Sequence, residues 1–125
     1  VIVSDDRVAP FVAKACKVQI VPPYTAVGIE RGGEIIGGVV FNLWTGPDIH
    51  LTVAGHGWTR GFLAEVGHFV FTQHRCERMT FVTEQPSVVR LAERLGGQVE
   101  GLLRNHFGKD RPGFIVGVLK DDYPW

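Results

Sequence analysis

The chain is 125 residues long, one domain's worth and large enough to bury a core of its own. Thirteen Lys plus Arg balance thirteen Asp plus Glu, so a nucleic-acid partner held mainly through its phosphates is not expected. No apolar run approaches the roughly 20 residues that span a bilayer, the start VIVSDDRV lacks a signal-peptide layout, and Cys16 and Cys76 are too few for a disulfide framework or a cysteine zinc site.

Both cysteines are expected to be small buried hydrophobes in a soluble, cytoplasmic, unprocessed protein. The opening on Val1 implies loss of an initiator methionine or of an upstream segment. Residues 1–18 read as a strand stub followed by a short helix. Ser4, Asp5 and Asp6 form a helix-start cluster, Val8, Phe11, Val12 and Ala15 recur at helical spacing, and Pro10 is tolerated only in the first turn. After Pro22 and Pro23, TAVGIE and EIIGGVVFNLW flank Arg31-Gly32-Gly33-Glu34. That is a hairpin signal, because both central residues of the tight turn need positive φ. Thr45-Gly46-Pro47-Asp48 turns into IHLTV, where Ile49, Leu51 and Val53 alternate with His50 and Thr52 as on a half-buried strand.

From Trp58 the period changes. Phe62, Leu63, Val66, Phe69 and Val70 share one face of a helix running to about Arg75, and RMTFVT is the next strand. Pro86 suits the first position of a helix with the stripe Val88, Leu91, Ala92 and Leu95, stopped by Gly96-Gly97. QVEGLLRN and GFIVGVLK, about HFGKDRP, read as a final hairpin. Without repeats or linkers, residues 1–125 form a single α/β domain.

The stretch AGHGWT joins the IHLTV strand directly to that helix. The first amides of a helix lack internal partners, the helix dipole places partial positive charge there, and glycine lets an anion approach the backbone. Gly55, His56, Gly57, Trp58 and Thr59 can therefore cradle a pyrophosphate, or Gly55 and Gly57 merely make a tight turn. No Gly-Lys-Ser/Thr follows as in a Walker loop, and the hairpins before it are unlike a dinucleotide-binding unit.

The order of elements over residues 25–119 resembles the GNAT superfamily of N-acetyltransferases, particularly the branch containing ribosomal-protein N-terminal acetyltransferases. Ala54-Gly55-His56-Gly57-Trp58-Thr59 lies over that family's loop, [RQ]-x-x-G-x-[GA], with Gly57 as the central glycine. Leu95-Gly96 and Glu100-Gly101 match its closing pattern. Gln85 stands where an Asn meets the pantetheine arm, and Ala92 where many members carry a tyrosine.

The resemblance implies a mixed, mostly antiparallel sheet flanked by helices, acetyl-CoA as cosubstrate, and an amine acceptor: a protein N-terminus, a lysine or a small amine. It implies an oxyanion donor among the amides of Leu51, Thr52 and Val53. With Ala92 in the tyrosine's place, Tyr24, Tyr123, Ser87 or water must protonate the leaving thiolate. His50 is the candidate base, ahead of Asp48 and Glu84. No histidine pair has metal-ligand spacing, so no metal is expected; His68 and His74 are expected to meet water. Trp44 and Trp58 are read as core or rim packing, with Trp44 alternatively lining the acceptor groove. The long FIVGVL strand suggests a homodimer. Binding of CoA or a protein partner without catalysis is the alternative activity, and an interaction domain with no nucleotide site is a third.

Overall fold

In the computed structural model, which describes residues 1–125, the alternating residues of the first half pair as an antiparallel meander. β1 (Ile2–Val3), β2 (Thr25–Arg31), β3 (Glu34–Asn42) and β4 (Asp48–Gly55) lie side by side. Gly32 and Gly33 hold φ of 61° and 82°, the positive values the β2–β3 turn demands. β5 (Arg78–Thr83) then runs parallel to β4. The closing hairpin of β6 (Gln98–Leu103) and β7 (Gly113–Leu119) is placed with β7 inside, so the seven strands run β1-β2-β3-β4-β5-β7-β6.

Each face of the sheet carries its own core. On one side α1 (Val8–Cys16) packs Val8, Ala9, Val12 and Cys16 against Val40 and Ala54. Its close approach depends on Gly28 and Gly38, where a Cβ would lie 2.9 Å from a Val8 methyl. On the other side, α2 (Arg60–Gly67) and α3 (Pro86–Arg94) cover the larger core, in which Leu51, Val53, Met79, Phe81, Val116 and Val118 meet Phe62, Leu63, Val66, Leu91 and Ala92. Complete burial of such side chains stabilises by about 1.5–3 kcal/mol each, as an upper estimate. Cys16 and Cys76 are free and buried, as expected of small hydrophobes. No helix is long and apolar enough to cross a membrane.

Several boundaries differ from the sequence reading. The helix expected from Trp58 to Arg75 starts at Arg60 and becomes π-helical over His68–Gln73. Phe69, Val70 and Phe71 are consecutive apolar residues, and the wider turn accommodates all of them: Val70 and Phe71 are buried, while Phe69 packs its ring 4.6 Å from that of Phe41. β4 extends through Gly55, and β3 stops at Asn42 because Leu43 turns to φ 54°. α1 has Arg7 at its cap without a side-chain cap bond; Asp5 instead accepts from the Arg7 amide at 2.9 Å and from its guanidinium.

The topology creates one opening. β4 and β5 pair only from Asp48 opposite Arg78 to Leu51 opposite Phe81. Beyond that point β5 stays with β7, through Val82–Ile115 and Thr83–Phe114, while β4 stays with β3. A wedge opens between them.

Candidate active site

Three side chains close the wedge. Gln85 is extended, as a residue before proline prefers, and its amide N–H donates to Thr83 Oγ1 at 3.0 Å. Its Nε2 donates to the Val53 carbonyl at 3.2 Å and lies 3.5 Å from Cys16 Sγ. The Cys16 thiol in turn donates to the Val53 carbonyl at 3.4 Å. Burial pushes that thiol's pKa up. The space left in the wedge is about 30 Å³, little more than one water's volume.

At the wedge's open end the chain turns into α2. Thr59 caps the helix: its Oγ1 accepts from the Phe62 amide at 3.1 Å and its carbonyl from the Leu63 amide at 3.0 Å. The amides of Gly57, Trp58, Thr59, Arg60 and Gly61 donate to no acceptor in the chain. Consecutive free amides at a helix start form an anion site in physical terms. Gly55 and Gly57 build the turn beneath it, at φ 88° and 95°. The His56 amide donates to the Ile36 carbonyl at 3.0 Å, and a Cβ on Gly55 would fall 2.1 Å from that same oxygen. On Gly57 it would fall 2.8 Å from Ile36 Cδ1. Gly61 is different, since a Cβ there would meet nothing closer than Thr59 Oγ1 at 3.9 Å.

The C-terminal tail braces this helix. The Tyr123 hydroxyl donates to the Leu63 carbonyl at 2.5 Å, and burial raises its pKa well above the phenolic range. Arg60 lies over the Trp125 ring, 5.9 Å from its centroid, and Trp58 packs on Phe62 at 5.4 Å. The Tyr123 hydroxyl is therefore committed to α2 and is no free proton donor.

His50 lies on the α1 side of β4, in a groove of about 490 Å³ bounded by the segment after α1, by β4 and by the β6–β7 connection. Groove and wedge share Thr52, Val82 and Phe107, so the two are continuous. His50 Nε2 stands 3.7 Å from Asp48 Oδ2. Asp48 Oδ1 accepts from the Thr80 hydroxyl at 2.8 Å, and that hydroxyl accepts from Arg78 Nε at 3.1 Å. Arg78 then forks onto Glu100 at 2.7 and 3.2 Å. Glu84, the other acidic candidate, is held by Arg111 at 3.2 and 2.5 Å, which lowers its pKa.

The remaining sequence candidates scatter. Leu51 and Thr52 border the groove and Val53 the wedge. His56 and His68 are exposed. His74 does not face water as expected: its Nδ1 lies 3.1 Å from the Phe69 carbonyl and its ring stacks edge-on to Trp44 at 5.0 Å. Trp44 and Tyr24 line a separate hollow with Phe41, Ile49 and Phe69, on the α2 side and away from His50. Ala92 is fully buried, so a tyrosine at that position would overpack the core. No group of three or more His, Cys, Asp or Glu is placed to hold a metal ion.

Sequence reasoning missed Arg60 and Gly61 as amide donors, Cys16 at the wedge and His106 at the groove. The first pair had a signal: a threonine just before an apolar helix is an N-cap, which starts the helix one residue later at Arg60. Cys16 and His106 are brought in only by packing.

The seven-stranded fold, with its parallel central pair β4 and β5, has counterparts among solved structures. The spermidine/spermine N-acetyltransferase SpeG from Vibrio cholerae, in mutant forms, superposes with a TM-score of 0.66 at 18% identity, over 82% of this chain and 70% of that one. The fold is that of the GNAT N-acetyltransferases. Aminoglycoside 6'-acetyltransferase type Ii shares this GNAT fold with a TM-score of 0.63 at 14% identity, over 96% of this chain and 97% of that one. A dodecameric spermidine N-acetyltransferase from Vibrio cholerae gives 0.63 at 18% identity, over 78% and 66%. The chain spans about two thirds of the length of the spermidine enzymes. By sequence it matches no family model and no curated protein. The mostly antiparallel GNAT-like sheet implied by the sequence resemblance is therefore the architecture observed, at identities that speak for the fold alone.

Proposed function

We propose that the chain is an acetyl-CoA-dependent N-acetyltransferase acting on a primary amine. The observation that carries this reading is the run of free amides from Gly57 to Gly61 at the mouth of the wedge. These amides would hold the pyrophosphate of acetyl-CoA, which supplies an acetyl thioester. Set on the helix start at Arg60, the loop motif falls on Trp58-Thr59-Arg60-Gly61-Phe62-Leu63, with Gly61 rather than Gly57 as the central glycine. The pantetheine side of the site is Val53 and Gln85, and Gln85 must give up its bond to the Val53 carbonyl if that carbonyl is to meet a ligand amide.

Within the groove, His50 takes a proton from the acceptor amine, and Asp48, anchored by Thr80 and Arg78, stabilises the imidazolium. Such a base contributes about 10²- to 10⁴-fold, while positioning two reactants can supply about 7–11 kcal/mol. The amides of Leu51, Thr52 and Val53 are the candidate oxyanion donors. With Ala92 in the core, Tyr123 bonded to Leu63 and Tyr24 in the separate hollow, Ser87 or water protonates the thiolate and turnover is slow.

The second reading, ligand binding without transfer, is favoured by the missing phenolic proton donor, with Ala92 in the core and Tyr123 bonded to Leu63. Thermal melts with CoA and acetyl-CoA, followed by thiol release on a panel of amines, separate the two. A ligand-dependent shift with thiol release supports the enzyme; a shift without release on any amine supports the binder; no shift at millimolar ligand overturns both. The narrower resemblance to ribosomal-protein N-terminal acetyltransferases would put a peptide N-terminus in the groove. The FIVGVL strand from which a homodimer was expected is β7, paired on both sides inside the sheet, so we propose self-association instead through β6, the edge strand with Val99 and Leu102 exposed beside Phe114; sedimentation showing only monomer at tens of micromolar refutes it.

A further inference from the structure

We infer that the acceptor is a monoamine carried on an apolar body, not a polycation. The inference rests on the acetyl-transfer reading and concerns the groove around His50. Eight of its fourteen lining residues are apolar, among them Val18, Ile20, Val82, Leu103, Phe107 and Ile115. Its polar members include Lys17, His50 and His106, and no carboxylate is among them.

Three acidic side chains around the groove are already engaged, and Asp110 lines only the adjoining hollow beyond Leu103 and His106. Asp48 is held by Thr80 and stands between Arg78 and His50. Glu100 is forked by Arg78, and Glu84 is paired with Arg111. One positive charge can be accommodated here, because a proton leaving the amine for His50 arrives beside Asp48. A second ammonium would lose water against the apolar wall, gain no free carboxylate, and face Lys17. Spermidine, spermine and aminoglycosides, named for the enzymes of like fold, all carry several such charges. The groove instead offers an alkyl or aryl group apolar surface from the α1 exit across to the β6–β7 connection. Lys17 and His106 suit a body that is neutral or carries a carboxylate or carbonyl. A small apolar amine and an apolar peptide N-terminus share this chemistry.

The test compares thiol release from the full chain at saturating acetyl-CoA with phenethylamine, 3-methylbutylamine and the dipeptide amide Phe-Gly-NH₂ against spermidine and kanamycin, at fixed ionic strength. The expected result is a kcat/KM at least tenfold higher for the best apolar monoamine than for either polycation. Preference for the dipeptide amide over the small amines identifies a peptide N-terminus as the source, and the reverse a free amine. Leu103→Glu, on the exposed edge strand, should narrow the gap at least tenfold by giving a second ammonium a partner. A polycation preferred by the unaltered chain overturns the inference.

Groove preference can also be read without turnover, from the His50 and His106 imidazole NMR shifts on titration with phenethylamine and with spermidine. Shifts at lower phenethylamine concentration support the inference even where thiol release fails on every amine, a failure that would count against the transfer reading alone. Tighter spermidine binding, or no shift with either amine, overturns the inference.

Discussion

Replacing Gly61 with alanine should strengthen the free protein and weaken its hold on acetyl-CoA. Gly61 is the second residue of α2, has no positive φ, and leaves open space for a Cβ. Glycine to alanine at a compatible helical site stabilises by about 0.4–1 kcal/mol. With an unfolding entropy of about 2.1 cal/mol/K per residue, the melting point of a chain of 125 residues should rise by about 2–4 °C. The Cα–Cβ bond of a helical residue tilts toward the N-terminus, so the new methyl projects toward the free amides. A tenfold loss of affinity is about 1.4 kcal/mol. At a ligand concentration 100 times the native Kd, stabilisation would fall from about 2.7 to about 1.4 kcal/mol, a melting shift cut from about 10 °C to about 5 °C. Thermal melts with and without acetyl-CoA, paired with titration calorimetry, measure both signs. Gly57→Ala is the contrast: at φ 95° and 2.8 Å from Ile36 Cδ1 it should destabilise the free protein by about 1–3 kcal/mol. A Gly61→Ala protein that keeps the full ligand shift would refute the cradle.

His50→Ala should lower kcat/KM for transfer at least tenfold while leaving the acetyl-CoA Kd unchanged; undiminished turnover removes His50 from the mechanism. Glu84→Gln should lower the melting point near neutral pH. Arg111 holds the Glu84 carboxyl below its ordinary value of 4.5, so the bridge contributes fully above that value and is lost as pH falls through the lower native one. The melting difference between wild type and variant should close over that acid range, and a difference constant down to pH 2 would contradict the assignment. Tyr123→Phe removes the bond to the Leu63 carbonyl and should cost about 0.5–1.5 kcal/mol by denaturant melts; an unchanged midpoint would show that this bond contributes nothing to the hold on α2.

The candidate site was legible only where local rules apply. Gly55 and Gly57 stood out because glycine pairs at a strand end mark backbone that other residues cannot adopt, and both do hold positive φ. The same reasoning set the helix start too early, at Trp58. A cap is a hydrogen bond, here from Phe62 to Thr59, and the free amides follow from its position. Trp44 was read as core or rim packing, with the acceptor groove as the alternative. Leu43 at φ 54° turns the chain after β3 and sends Trp44 toward the α2 side.

The sequence by itself determined the elements whose signals are local: the Gly32-Gly33 hairpin, the alternating β4, the Pro86 helix start and the Gly96 stop. These depend on backbone sterics and on periodicity, which neighbours along the chain decide. Only the tertiary structure decided that β7 inserts between β5 and β6, that β4 and β5 part after Leu51 and Phe81, and that Cys16 and Gln85 meet over Val53 from positions 69 residues apart. It also decided that no carboxylate lines the groove, with Arg78 and Arg111 drawing in Asp48, Glu100 and Glu84 from other strands and loops and Asp110 turned into the adjoining hollow. Composition records equal numbers of acids and bases. Which of them neutralise one another depends on distances of a few ångströms that only packing sets.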